Sequence, residues 1–241
     1  MLTDSSATHA HPAPGDQDGR PVAAVLWDFD GTLADSEPLW MNAEYELVPT
    51  LGGEWNDEHA HSLVGNALLV SAQYILDVCG RTDIDPAWVV DQLTDRVVEQ
   101  IVSGEVAWRP GALELLGKLH EHNIPCALVS ASYRRMLDAV VDRLPEGTFA
   151  SVVAGDEVTK GKPDPEPYLL AAEHLGVDPT RCIVIEDSIP GATSGNAAGA
   201  LVLAVRNLIE IPDHPRRVQL STLAGVEVDQ LGRWLAEAAD A

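Results

Sequence analysis

The chain has 241 residues, 46% of them hydrophobic, enough to bury a sizeable core in one or two domains. That excludes a disulfide-stapled miniprotein and a wholly disordered chain. With 15 Lys+Arg against 38 Asp+Glu the formal charge is −23, a surface that repels phosphate backbones and anionic membranes, so neither nucleic acid nor membrane is an expected partner.

Residues 1–20 are polar and rich in Pro, Gly, His and Asp; they lack the regions of a signal peptide and read as a flexible tail. Residues 22–27 (VAAVLW) form a short, near-continuous apolar run, the pattern of a strand buried on both faces. Similar runs recur at 125–129, 151–154, 182–185 and 201–205. Between the later ones lie helical patterns at 112–120, 133–144, 166–175 and 191–198. This alternation predicts an α/β fold, a parallel sheet with helices on both faces.

Residues 37–105 break the rhythm, with helical runs at 39–51, 68–79 and 88–102 and no comparable strand. So long a stretch between the first strand and the next βα unit is not a loop. It predicts an inserted helical domain, reached through hinges near Ser36 and residues 106–109, inside a core domain made of 21–36 and 106–241. A last amphipathic helix is expected at 229–239. No uncharged run approaches the roughly 18 apolar residues of a membrane span. Cys79, Cys126 and Cys182 are scattered, which suits reduced thiols in a cytoplasmic protein.

In an open α/β sheet, ligands bind beyond the carboxyl ends of the strands. Past the first run stand Asp28 and Asp30; past the second, Ser130-Ala131-Ser132; past the third, Gly155-Asp156 and then Lys160-Gly161-Lys162; past the fourth, Glu186-Asp187-Ser188. Three or four acids on one rim are costly unless a cation neutralises them, and a hard oxygen site open to water and phosphate suits Mg²⁺. Lys162 supplies a positive charge for a substrate anion, and Ser130 with nearby amides supplies neutral donors.

Asp28-Phe29-Asp30-Gly31-Thr32, Ser130, Lys162 and Glu186-Asp187-Ser188, in this order and spacing, resemble the four motifs of the haloacid dehalogenase-like hydrolase superfamily, over roughly 22–205. The stretch from Asp35 to Trp40 is similar to the corresponding one in its bacterial sugar-phosphate phosphatases. The resemblance implies a Rossmann-like three-layer core with an α-helical cap at 37–105. It implies that Asp28 attacks a phosphoryl group, that Asp30 serves as acid and base, and that Mg²⁺ is held by Asp28, the Asp30 carbonyl and Asp187, with Glu186 assisting. Ser130, the Ala131 amide and Lys162 would grip phosphoryl oxygens, while Gly31 lets the backbone approach closely.

Asp30 argues against a dehalogenase, and the lack of any Lys between Asp28 and Lys118 argues against phosphonatase chemistry. A β-phosphoglucomutase-like enzyme remains an alternative, although Trp40 stands where those enzymes carry a His. A catalytically silent binding module is a third reading, opposed by the full acid set. Glu37, Trp40, Asn42 and Asn66 are the expected cap-side specificity residues. With only Arg81 and Arg96 as cap cations, the expected partner is a small phosphorylated metabolite with one phosphate, a hexose or pentose monophosphate. A monomer or weak homodimer is expected. The pairs His9/His11 and His59/His61 read as solvated residues, and Gly191, Gly195 and Gly199 as a smooth helix face packing on the sheet.

Overall fold

All four residues of β1 (Ala24–Trp27) are buried, which a strand achieves only with neighbours on both sides and layers on both faces. The computed structural model describes residues 22–64 and 66–239; the expected tail at 1–20, with His9 and His11, lies outside the described residues. β1 pairs in parallel with β2 (Cys126–Val129) on one side and β4 (Cys182–Glu186) on the other. β3 (Ser151–Val153) extends the sheet beyond β2, and β5 (Leu201–Val205) and β6 (Arg217–Leu220) extend it beyond β4. The order is β3-β2-β1-β4-β5-β6, all parallel.

Alternation along the strands builds two cores. Ala24 and Leu26 join Ala127, Val129, Val184 and Val202 under α7 (Glu166–Leu175) and α8 (Ile189–Ala197). Val25 and Trp27 join Leu128, Ile183 and Ile185 under α5 (Ala112–Glu121), α6 (Arg134–Val141) and α9 (Val228–Ala239). The expected three-layer α/β architecture is what the chain adopts. Gly195 of α8 lies against Val184 and Val202, where an added Cβ would crowd both side chains, as read; Gly191 instead faces the Glu186 carboxylate, and Gly199, at φ +89°, lies past the end of α8 beside Thr180.

Between residues 37 and 103 lie α1 (Glu37–Leu47), α2 (Asp57–Leu63), α3 (Leu68–Val78) and α4 (Pro86–Ser103), of which α1, α3 and α4 fall on the expected helical runs. The helix expected at 39–51 is split. Pro49 stands two residues past Leu47, and the chain tightens into a 3₁₀ turn over Val48–Leu51 that ends at Gly52, φ +86°. The two chain crossings into this helical layer run side by side. The Asp35 amide donates to the Ala107 carbonyl at 2.8 Å, and that of Arg109 to the Leu33 carbonyl at 2.9 Å. Arg135 of α6 pairs with Asp91 and Asp95 of α4 at 3.0 and 3.1 Å, a second tie between the layers.

Two elements go beyond the sequence reading. β6 is an edge strand whose Arg217 and Gln219 interrupt any apolar run. α2 has seven residues, started by the Asn56 side chain accepting from the His59 amide. His59 is not solvated: it stacks on Trp55 at 4.9 Å and hydrogen-bonds the Tyr74 hydroxyl at 2.8 Å. His61 is exposed, as expected. Among the described residues no helix is long and apolar enough to cross a membrane.

Leu26 is fully buried at the centre of the sheet. Leu26→Ala is expected to lower unfolding free energy by about 2–5 kcal/mol, measured by urea denaturation, because the central strand cannot collapse onto the cavity.

Candidate active site

β1 ends at Trp27, and the next residues turn outward at the carboxyl edge of the sheet. The Asp28 amide still donates to the Ile185 carbonyl at 3.0 Å, which fixes the Asp28 side chain at the strand end. The Phe29 carbonyl then accepts from the amides of Thr32, Leu33 and Ala34, a tight turn that passes through Gly31 at φ +81°. An added Cβ at Gly31 would overlap Asp187 Oδ2 and lie 2.6 Å from Asn207 Nδ2. Glycine is therefore required here twice, for the backbone angle and for the approach of Asp187.

Lys162 reaches this rim from the segment before α7 and uses its ammonium fully. Nζ donates to Asp28 Oδ1 at 2.7 Å, to Glu186 Oε1 at 2.6 Å and to the Val129 carbonyl at 3.0 Å. It also lies 5.0 Å from the Tyr168 ring centroid. Glu186, wholly buried, accepts further from the Tyr168 hydroxyl at 2.7 Å on Oε1 and from the Ser188 hydroxyl at 2.9 Å on Oε2. Both Glu186 oxygens are thus engaged by side chains. Asp28 differs: its Oδ2 has no hydrogen bond among the described residues.

Asp187 accepts from Thr32 Oγ1 at 3.3 Å and from Asn207 Nδ2 at 2.8 Å. Oxygens of Asp28, Glu186 and Asp187 lie within 4.8 Å of one another. Burial, reinforced by repulsion from Glu186, raises Asp28 well above the ordinary carboxylate range against the pull of Lys162. Burial and Glu186 likewise push Asp187 up to about 6, with the Asn207 hydrogen bond opposing. Burial works against the charge on Lys162, yet Asp28 and Glu186 more than offset it and hold the ammonium above its ordinary value. Three carboxylates against one ammonium leave a negative excess, and the donors are hard oxygens, so the residues present fit a divalent cation.

Asp30 forms a second centre beside the first. Its Oδ1 accepts from Ser36 Oγ at 2.6 Å and Trp40 Nε1 at 3.2 Å; its Oδ2 accepts from Ser130 Oγ at 3.1 Å and Ser132 Oγ at 2.8 Å. Two donors come from the entry to α1 and two from the end of β2. Glu37, half-buried on the same helix, is raised by burial and by repulsion from Asp30 and Asp35, with His61 opposing.

Of the residues singled out in the sequence, Asp28, Asp30, Gly31, Ser130, Lys162, Glu186 and Asp187 meet at this rim, joined by Trp40 and Glu37. Ala131 sits exposed between the two serines. Asn42 instead pairs with Gln100 of α4 at 3.3 Å, and Asn66 with the Ser62 carbonyl at 3.1 Å. Sequence reasoning placed Ser36 only near a hinge and assigned no role to Ser132, Tyr168 or Asn207. Asn207 had a usable signal, since it stands just past the fifth apolar run and so on the same rim.

Residues 22–199 match the family model of haloacid dehalogenase-like hydrolases. The fructose-1-phosphate phosphatase YqaB of Escherichia coli K12 is 30% identical over 187 residues, which are 77% of this chain and 97% of that one. A bifunctional riboflavin kinase/FMN phosphatase of Arabidopsis thaliana is 31% identical over 214 residues, 87% of this chain, but the match spans only about half (53%) of the plant protein. The crystal structure of CbbY from Rhodobacter sphaeroides with phosphate superposes with a TM-score of 0.75 at 26% identity, covering 85% of this chain and 96% of that chain.

Gly31→Ala is expected to keep the fold, read by circular dichroism, and to lower kcat/KM on a phosphomonoester by about a hundredfold, the scale of an ångström-level displacement of reacting groups. Retention of full activity would show that Asp187 has room to move.

Proposed function

The chain belongs to the haloacid dehalogenase-like hydrolases, and we propose that this phosphatase hydrolyses a sugar monophosphate with Mg²⁺ through an aspartyl-phosphate on Asp28. The observation that carries the reading is the asymmetry of Asp28: Lys162 holds Oδ1 at 2.7 Å while Oδ2 carries no hydrogen bond among the described residues. A carboxylate pinned by one oxygen presents the other as an oriented nucleophile.

Asp28 Oδ2 attacks phosphorus and a P–O ester bond breaks. Asp30 gives its proton to the leaving oxygen, then takes one from the water that attacks the phosphoryl-aspartate, releasing phosphate and restoring the Asp28 carboxylate. The hydroxyls of Ser36, Ser130 and Ser132 can donate or accept, so with Trp40 they hold Asp30 in place in both its protonated and its ionised form. Asp28, Asp187 and the Asp30 carbonyl would hold the metal, with Glu186 as a further ligand or as the anchor of Lys162. Mg²⁺, when bound, offsets repulsion between the Asp28 carboxylate and the phosphate dianion. Ser130, the Ala131 amide, Gly31 and Lys162 face the phosphoryl oxygens.

In this reading residues 37–105 are a cap on a core of 21–36 and 106–241, closing to exclude water. Ser36 and Trp40 link closure to Asp30. Trp40 Nε1 donates and cannot accept, which favours hydrolysis over a mutase that needs a proton-accepting group there. A sugar monophosphate as substrate is supported by the fructose-1-phosphate phosphatase relative. The cytoplasmic setting expected from the sequence is supported by three free cysteines, two of them buried.

The test is phosphate release from a panel of sugar monophosphates and an aryl phosphate, with Mg²⁺ and with EDTA. Mg²⁺-dependent release is expected, falling below about 1% in Asp28→Asn, as for loss of other covalent nucleophiles. Activity of Asp28→Asn above a few per cent excludes the covalent route. Sugar-phosphate isomerisation without release would make the protein a mutase.

A further inference from the structure

The helix that carries Glu37 and Trp40 carries a third polar residue on the same face. Glu44 follows Trp40 by four positions and Glu37 by seven, and it is 6% exposed. Residues at this spacing share one side of a helix. Trp40 reaches Asp30, so that side of α1 faces the carboxylate rim. Val48, one turn beyond Glu44, is buried, so the polar stretch of the face ends at Glu44.

A buried carboxylate is ordinarily paired or fully hydrogen-bonded. Glu44 is neither. Oε2 accepts from Trp55 Nε1 at a long 3.3 Å, and Oε1 has no donor among the described residues. The two cations of the helical layer are spoken for elsewhere, Arg81 by Asp83 at 2.8 Å and Arg96 by the Gln92 carbonyl at 2.8 Å. Glu37 adds a like charge instead. Burial lifts the Glu44 carboxyl to about 7; the Trp55 hydrogen bond opposes this and Glu37 reinforces it. The residue is not sealed: 6% of its surface stays exposed.

We propose that Glu44 is a specificity-determining residue, whose Oε1 accepts a hydroxyl of the substrate's leaving group and, with Glu37, repels a leaving group that carries a second anion. This rests on the phosphatase reading and narrows its substrate class to neutral, hydroxyl-rich monophosphates. A polyol hydroxyl supplies the donor that Oε1 lacks. Above about pH 7, where Glu44 is ionised, a second phosphate or carboxylate would meet two carboxylates. The Trp55 indole holds Oε2 and so fixes which oxygen is offered.

The experiment compares wild type, Glu44→Gln and Glu44→Ala on glucitol 6-phosphate, fructose 1-phosphate, fructose 1,6-bisphosphate and p-nitrophenyl phosphate, with thermal melts of each. Wild type is expected to prefer both monophosphates to the bisphosphate. Glu44→Ala should lower kcat/KM for the monophosphates by about tenfold more than for the aryl phosphate, mainly through KM, the effect of losing one hydrogen bond to a charged or buried acceptor. Glu44→Gln keeps an acceptor without the charge and should raise the bisphosphate-to-monophosphate ratio about fivefold or more. An equal loss on sugar and aryl phosphates, with a lower Tm, would make Glu44 a packing residue and overturn the proposal, as would unaltered KM values in both variants. A wild type that turns over the aryl phosphate but favours the bisphosphate overturns the Glu44 assignment alone. A wild type that hydrolyses none of the four overturns the phosphatase reading and the assignment with it.

Discussion

Lys162 is the constraint on which the rest of the molecule depends. Its ammonium lies between Asp28 and Glu186, with contacts of 2.7 and 2.6 Å, in a place that water does not relieve. Without it, two adjacent strands could not end in buried acids. The parallel register sets Trp27 beside Ile185, so the residues just past each strand meet at one level of the sheet. Lys162 fits because its third donor position is used by the carbonyl of Val129, on the strand at the other side of β1. The lysine thus ties β1, β2 and β4 together at the rim where the acids meet. Charge is still not balanced, since Asp187 remains close to both acids with only neutral donors of its own.

Asp30 is solved differently. It has no cation, and its four hydrogen bonds come from two layers of the fold. Ser130 and Ser132 belong to the sheet edge, while Ser36 and Trp40 belong to the entry of the helical layer. One carboxylate therefore records the relative position of both layers. The paired crossings at Asp35–Ala107 and Leu33–Arg109 and the Arg135 ties to α4 bear on the same geometry from outside the site.

Much of this was legible in the residues, for a physical reason. Strands buried on both faces must be apolar throughout, so β1, β2, β4 and β5 stood out, and a parallel sheet brings the residues beyond their carboxyl ends to one rim. Asp28, Asp30, Glu186 and Asp187 were found by that rule, and so could Asn207 have been. β6 escaped because an edge strand tolerates Arg217 and Gln219, which hold the Asn196 side chain and the Ile211 carbonyl. α2 escaped because seven residues give too few turns for a period to show. Tyr168 lies in an ordinary helical run; its hydroxyl reaches Glu186 only because α7 packs across β1, β2 and β3, and no local pattern encodes that. Glu44 is one of 38 acidic residues, and nothing in its local sequence marks it for burial.

Lys162 alone leaves Asp28, Glu186 and Asp187 with an excess of negative charge, which a divalent cation would neutralise. Asp187 rises from 3.8 to about 6 on folding, so its contribution to stability is present below pH 3.8 and is lost as pH rises to about 6. A cation needs the ionised form, and so restores stability above that window. The direct measurement is Tm at pH 5 and pH 8, with and without Mg²⁺ at constant ionic strength, for wild type and Asp187→Asn. The expected result is an Mg²⁺-induced rise of about 5 °C or more at pH 8, much less at pH 5, and its loss in the variant. An equal rise at both pH values, or a rise that survives in Asp187→Asn, would contradict it.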